Sequence, residues 1–467
     1  MRTPTSEQAA ILAAADRGSV LIRALAGTGK TSTLEMLAPR LGEGVAIAFN
    51  VKMKEELASR LPPTFKAQTL NGAGHSAWGR LTGKKLTLDH KKAGRLSGSI
   101  PIVRALLNSA RTLGLVPESR ARGAKVFLRD APEGWEEVIA FSQQLDVTPV
   151  HIDATRKVLE AAISEGFAGK IDFTDQIYLS ACFNGAFQKT PNLFVDEAQD
   201  LSPLNHYMVG RMIGGRVVAV GDERQAMYGF RGASSNSMAE MEEMLRRRGP
   251  LEVLPLNTCF RCSEAVIASA RKYVPDISAA PGALYGRADF LEEWSYEDFT
   301  PGCAILCRNN APLFRLGLTL LREGYSINFQ GKDAGEKVIV IVDKVDKPHQ
   351  MSRTDLFDAL HTYSLSLKSS ALEWVNNCIA ILEAIPGATT FEILQGIETL
   401  LRSPEGAVTL STGHRAKGME WHTVYHLDPW RIPSKRANTP EELQQEKNIA
   451  YVIETRAKEN LFFINSL

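Results

Sequence analysis

The sequence predicts an α/β protein with two parallel-sheet cores, each interrupted by a mostly helical insertion. Three observations lead there. Short apolar strands alternate with helical stretches, and several end on a carboxylate, as in parallel sheets whose working edge lies at the strand C-termini. A Gly-rich turn, Ala24-Leu-Ala-Gly-Thr-Gly-Lys-Thr31, joins one such strand to a helix. Strand signals fade twice, over about residues 81–170 and 331–405, and resume each time. At 467 residues the chain is also too long for a single hydrophobic core.

In chain order, residues 19–24 read as a short buried strand and 32–41 as a helix. Residues 45–49 form a second apolar strand, followed by a helical 52–60. Helix-like segments at 102–112 and 135–145 dominate the first insertion. The strands 191–196 and 216–222 complete the first core, which thus occupies 1–80 and 171–250. Residues 251–255 and 303–308 open the second core over 251–330. After the insertion at 331–405, helical at its end, the strands 408–411 and 461–464 close that core over 406–467.

Composition narrows the class. The chain is 44% hydrophobic and 23% charged, with no apolar run of membrane-spanning length and no secretory segment at its start, so a cytoplasmic, nucleoid-associated protein is expected. A net charge of +1 supplies no basic field, and any nucleic acid must be held by a local groove with stacking side chains. Six cysteines do not suggest a disulfide framework. Cys259 and Cys262, with Cys303 and Cys307, have spacings a zinc ion can use. However, Cys303, Ile305 and Cys307 alternate along a strand, where cysteine acts as a small hydrophobe. His422 and His426 likewise sit in the strand-like stretch 421–427.

The Gly-rich turn is a Walker A loop with Ala24 in place of the usual first glycine. Ala26, Gly27, Thr28 and Gly29 are small enough for backbone N–H groups to crowd phosphate oxygens, and the helix that begins near Ser32 adds its positive end. Lys30 is expected to reach the β- and γ-phosphates, and the Thr31 hydroxyl to hold Mg²⁺. The strand ending at Asp196 runs on as Glu197-Ala-Gln-Asp200, a Walker B arrangement. There Asp196 would hold Mg²⁺ and Glu197 would orient and deprotonate the attacking water. Residues 221–233 then place a strand-end Asp, Gln225, Tyr228, Phe230 and Arg231 within thirteen positions, with Gln225 suited to a γ-phosphate and the rings to stacking.

The Asp196–Asp200 and Gly221–Ala233 segments resemble motifs II and III of superfamily 1 helicases of the UvrD/Rep/PcrA type. The remaining motifs of that series follow in order. Thr5-Ser-Glu-Gln8 is similar to the Q-motif, Ala48-Phe-Asn50 to motif Ia, and residues 69–75 to the DNA-contacting segment after it. Asp172-Phe-Thr-Asp175 resembles the signature preceding motif II. Leu256-Asn-Thr-Cys-Phe-Arg261 is similar to motif IV, and Arg308-Asn-Asn-Ala311 to the segment that follows. Residues 412–420 match motif V, and 449–457 motif VI. The compact size and the Ala-Phe-Asn wording are similar to the F-box DNA helicase branch.

This resemblance implies two RecA-like P-loop NTPase cores that use ATP and Mg²⁺. It implies that Gln8 reads adenine, Phe260 stacks on it, and Glu420 and Gly418 approach the ribose and phosphates. Arg261 and Arg456 would come from the second core to the γ-phosphate. Phe49, Asn50, His75, Phe230, Arg231, Asn310 and His414 would contact single-stranded DNA. The implied activity is a 3′→5′ DNA helicase or translocase acting on single-stranded and tailed DNA, as a monomer, with a loading or processivity partner. An ATP-gated single-strand clamp is the alternative reading.

Three departures from the family pattern bear on that expectation. Motif Ia lacks the Thr-Asn-Lys wording. Glu454 stands where a small or apolar residue is usual, two positions before Arg456, and is expected to pair with that arginine or to face solvent. Eleven residues follow Arg456, where larger relatives carry a strand-separating hairpin, so translocation is expected more firmly than unaided duplex opening.

Overall fold

The computed structural model describes residues 3–466 except 99, 143, 145–146, 228–231, 235, 366, 368, 403–407 and 436. The chain divides into two compact units. The first runs to Leu256 without Ala26–Thr28, and the second takes Ala26–Thr28 and everything from Asn257.

The first unit is built on strands β1 (Ser19–Ala24), β2 (Gly44–Ala48), β3 (Phe65–Thr69), β4 (Thr190–Val195), β5 (Ile213–Gly221) and β6 (Leu251–Leu256). They form one sheet in the order β6-β1-β5-β4-β2-β3, and every pairing is parallel. The inner strands are largely apolar because helices cover both faces. Ile22, Val218, Val220 and Phe194 pack on one side, and Leu21, Val217, Leu193 and Val195 on the other.

Residues 251–255 were expected to open the second core, but β6 pairs with β1 along its whole length, from Ser19 opposite Leu251 to Ala24 opposite Leu256. Its alternation decides this. Leu254 and Leu256 join the core on one face of the first sheet, and Leu251 and Val253 pack against the core on the other. The strand therefore completes an edge of the first sheet, and the boundary falls after Leu256.

The first insertion contributes helices Pro101–Leu113, Pro132–Ser142 and Pro149–Phe167. A buried ionic group ties it to helix Phe173–Cys182. Asp175, with no exposed side chain, accepts from Lys92 Nζ at 2.6 Å and from Arg111 at 2.9 Å, and Arg111 also reaches Asp172 at 2.8 Å. Asp172 caps that helix by accepting from the Asp175 N–H. The Asp-Phe-Thr-Asp signature is thus a helix cap and a joint at once.

The second unit carries β7 (Arg287–Phe290), β8 (Ala304–Cys307), β9 (Ile327–Phe329), β10 (Val408–Thr412), β11 (Trp421–Leu427) and β12 (Ala457–Ile464). The sheet order is β7-β12-β11-β8-β10-β9, again parallel at every pairing. Cys303, Cys307 and Ile305 are core residues here. The second insertion supplies helices Lys332–Val345, Arg353–Leu365, Ser369–Ala384 and Thr390–Arg402. Their apolar faces, including Ile341, Leu360, Leu382 and Ile397, share that core.

Candidate active site

In the first unit, β1 delivers the chain to the Gly-rich turn and helix Lys30–Leu41 leaves it. Gly29, the residue before that helix, has φ +82°. This left-handed conformation is open to glycine without strain. The turn aims Lys30 at the C-terminal tips of the neighbouring strands, where its Nζ meets Glu197 Oε1 at 2.8 Å. Burial opposes the lysine's charge, but Glu197, Asp196 and Asp222 outweigh it, so its pKa is held above the usual value. Thr31 and Ser32 are half-buried on the first turn, and Ser32 accepts a hydrogen bond from Arg60 at 3.0 Å.

Asp196 follows β4 directly. Burial, then the neighbouring Glu197, pushes its carboxyl up to about 7. Glu197 sits in the left-handed region at φ +52°, an unfavourable backbone for a non-glycine residue that turns its carboxylate to Lys30. Gln225 is buried and donates to Asp222 at 2.6 Å. Gln8 Oε1 accepts from the Thr5 N–H in a capping box, and its Nε2 donates to Thr33 at 3.2 Å. A Cβ on Gly29 would lie 3.4 Å from that nitrogen, so Gln8 packs directly against the phosphate turn.

Two participants were absent from the expected set. Asp222, fully buried at the end of β5, has its carboxyl pushed up to about 6 by burial, with Lys30 pulling the other way. Gln199 links the two carboxylate segments, because its Oε1 accepts the Asp222 N–H at 2.9 Å and its Nε2 donates to Glu197. The sequence signal was there, since both lie inside the Asp-Glu-Ala-Gln-Asp and Gly-Asp motifs.

In the second unit, Ala26, Gly27 and Thr28 are the tip of the turn. The Ala26 N–H donates to the Tyr451 hydroxyl at 2.9 Å, and Gly27 C=O accepts from the Phe260 N–H at 2.9 Å. Gly27 has φ +69°, and an added Cβ would lie 2.6 Å from Arg261 Cβ and 2.7 Å from Cys259 Sγ. Glycine is therefore required there twice over. Phe260 leaves about half of its side chain exposed. Arg261 donates to Glu420 at 2.7 Å, and Lys458 holds the other oxygen of that carboxylate at 2.6 Å. Partial burial raises the Glu420 pKa, but these two cations outweigh it and keep it low. Gly418 is exposed with φ +83°. Arg456 is buried, with its guanidinium on the carbonyls of Val452 at 3.0 Å and Met419 at 3.2 Å.

Glu454 does neither of the things expected of it. It is fully buried and pairs with Lys272 at 2.8 Å, with Ser269 and Tyr273 donating to it at 2.7 and 2.9 Å. The last turn of helix Pro440–Glu454 turns it to Ser269 at the end of helix Glu264–Ala270 and to Lys272 and Tyr273 just beyond.

Of the residues expected at a DNA strand, Phe49 is half-buried and Asn50 caps helix Val51–Arg60 by accepting from Met53 N–H at 2.9 Å. His75 pairs with Gln176 at 3.3 Å. Asn310 opens helix Asn310–Arg322 with its Oδ1 buried and unpartnered among the described residues. His414 is half-buried in the short helix Gly413–Ala416 after β10. Phe230 and Arg231 lie outside the described residues. Trp78 is a packing residue, fully buried with its indole N–H on Gly166 C=O at 2.9 Å.

A Gly-rich turn feeding a lysine into strand-tip carboxylates, on parallel sheets flanked by helices, defines a P-loop nucleotide-binding protein with RecA-like cores. Residues 7–231 match the family model described as AAA domain, and residues 397–467 match the UvrD-like helicase C-terminal domain. Both matches agree with a helicase of superfamily 1 of the UvrD type, which the ordered motifs of the sequence resemble. It is 24% identical to F-box DNA helicase protein 1 of Schizosaccharomyces pombe, over 99% of this chain and 57% of that protein. It is 24% identical to F-box DNA helicase 1 of Gallus gallus, over 97% of this chain and 48% of that one. It is 28% identical to ATP-dependent DNA helicase UvrD2 of Mycobacterium tuberculosis, over 58% of this chain and 43% of that protein. The chain thus spans about half the length of the curated relatives it matches. Among solved structures, the Arterivirus nonstructural protein 10 (helicase) aligns over 97% of this chain and 61% of its own, at 13% identity and a TM-score of 0.35.

Proposed function

We propose that this protein is an ATP-driven motor on single-stranded DNA that moves 3′→5′ and couples ATP hydrolysis to strand separation. The observation that carries the reading is the Lys30–Glu197 pair, set among Asp196 and Asp222 at the strand tips. In this reading Lys30 leaves Glu197 for the incoming phosphates, which frees that carboxylate to take a proton from water. The water oxygen bonds to the γ-phosphorus and the β–γ bridging bond breaks. Gln225, which donates to Asp222, would orient that water.

The buried, proton-hungry Asp196 fits a divalent cation, because positive charge there relieves the cost of an ionised buried carboxylate, and the Thr31 hydroxyl on the turn after Lys30 would be its second ligand. Bound Mg²⁺ would neutralise phosphate charge. Arg261 and Arg456 act on the γ-phosphoryl group, and Phe260 on the adenine. Phe49, Asn50, His75, Phe230, Arg231, Asn310 and His414 grip the strand, largely by sequence-tolerant stacking and polar contacts.

Strand displacement on duplexes with a 3′ or a 5′ single-stranded tail, with and without ATP, tests the reading. Opening of the 3′-tailed duplex alone is expected. Lys30→Ala should lower turnover at least about 100-fold while strand binding persists. Opening of the 5′-tailed duplex alone would overturn the polarity, and undiminished turnover in Lys30→Ala would overturn the site.

A further inference from the structure

Tyr451 lies outside the proposed nucleotide and DNA contacts, yet its side chain reaches the tip of the Gly-rich turn. It is fully buried on helix Pro440–Glu454, inside the apolar run Ile449-Ala-Tyr-Val-Ile453. Its hydroxyl accepts the N–H of Ala26, itself fully buried, at 2.9 Å. A phenylalanine would fill nearly the same space in such a run. The hydroxyl therefore answers to something besides packing, and a buried N–H that would otherwise go unmet supplies the reason.

This bond is one of two that set the shape of the tip. Gly27 C=O accepts from the Phe260 N–H at 2.9 Å. A trans peptide unit holds its C=O and N–H on opposite sides, so fixing the Gly27 carbonyl also fixes where the Thr28 N–H points. The peptide unit before Ala26 and the one after Gly27 are thus both tied, and Gly27 between them keeps φ +69°. Tyr451 is itself anchored. Its C=O accepts from the Thr455 N–H at 3.0 Å and from the Thr455 hydroxyl at 2.7 Å, one residue before Arg456.

We propose, on the reading of this turn as the nucleotide site, that Tyr451 is a positioning residue for phosphate binding. Its hydroxyl draws the Ala26 N–H out of the phosphate cradle and holds the tip so that the N–H groups from Thr28 onward face a diphosphate or triphosphate chain. Ala26 then serves the shape of the turn and does not itself donate to phosphate.

The test compares Tyr451→Phe with the unaltered full chain, by ATP turnover and by displacement of a fluorescent ADP analogue with ADP and with inorganic pyrophosphate. Loss of the hydroxyl should raise KM for ATP and weaken ADP and pyrophosphate by one common factor of about 3–10, the worth of one hydrogen bond. The kcat should stay within about twofold. Pyrophosphate has neither base nor sugar, so a shared factor locates the effect at the phosphates. A merely structural role would lower the unfolding midpoint and leave the affinities alone. Unchanged affinities, a fall in kcat without a change in affinity, or weaker ADP with unchanged pyrophosphate would each overturn the proposal. If the variant fails to fold, amide hydrogen exchange of Ala26 in the unaltered chain decides. Ala26 should stay protected with and without pyrophosphate at an unchanged amide resonance, and a large shift of that resonance on binding would put the N–H on phosphate and overturn the proposal. An unaltered chain that binds neither ADP nor pyrophosphate would overturn the nucleotide-site reading as well, whereas equal binding by both proteins would sink this proposal alone.

Discussion

Replacing Asp196 by Asn separates what the proposed metal-binding carboxylate costs the fold from what it contributes to chemistry. The side chain is 5% exposed, and burial with Glu197 beside it raises its pKa from 3.8 to about 7. Between those values the folded protein keeps a proton that the unfolded chain has released. Stability from this group is therefore present at low pH and is lost as pH rises from about 4 to about 7. Asparagine has a similar shape and no such dependence. From pH 5 to pH 8 the wild type loses about two units' worth, roughly 3 kcal/mol at about 1.4 kcal/mol per unit. Lys30 gives up one of its three anions in the variant, which returns part of that gain, so an increase of about 1–3 kcal/mol in the variant's advantage is expected. Urea unfolding of both proteins in EDTA at several pH values measures it, and ATP turnover of the variant should be nearly lost. An advantage that stays flat with pH, or a variant less stable than wild type at pH 8, would refute the reasoning.

Further expectations follow from other parts of the structure. Asp175→Ala leaves Lys92 buried without its carboxylate, and should cost about 3–5 kcal/mol in urea unfolding, whereas a loss under about 1 kcal/mol would contradict the ionic joint. Arg456→Ala should lower ATP turnover about 10³–10⁵-fold if it serves the γ-phosphoryl group, and a change within about tenfold would leave it only its packing role. Phe49→Ala should weaken single-strand binding by about 1–3 kcal/mol in a fluorescence titration, and unchanged affinity would reassign it to the core.

Much of the proposed nucleotide site was legible because its chemistry is written in short contiguous runs. The Gly-rich turn needs left-handed backbone at Gly27 and Gly29, and both glycines are local in sequence. The same holds for Asp196 and Glu197, which a strand end presents together. The residues proposed to contact a DNA strand were less legible. Asn50 reads as a contact from its motif, yet its side chain also caps a helix. For Glu454 local sequence gave the wrong partner, since Lys272 is 182 positions away and is brought close only by the packing of the two helical segments.

By itself, then, the sequence determined the parallel α/β class, the Gly-rich turn and its carboxylates, and the likeness to superfamily 1 helicases. Alternation of apolar strands with helices, and the backbone demands of a tight turn, act over a few residues and leave their mark there. Tertiary structure alone decided that Leu251–Leu256 completes the first sheet, that Asp222 joins Lys30, that Lys92 and Arg111 meet Asp175, and that the Tyr451 hydroxyl meets the Ala26 N–H. Each of these depends on which apolar faces meet across long stretches of chain, and burial then fixes which charges must find one another.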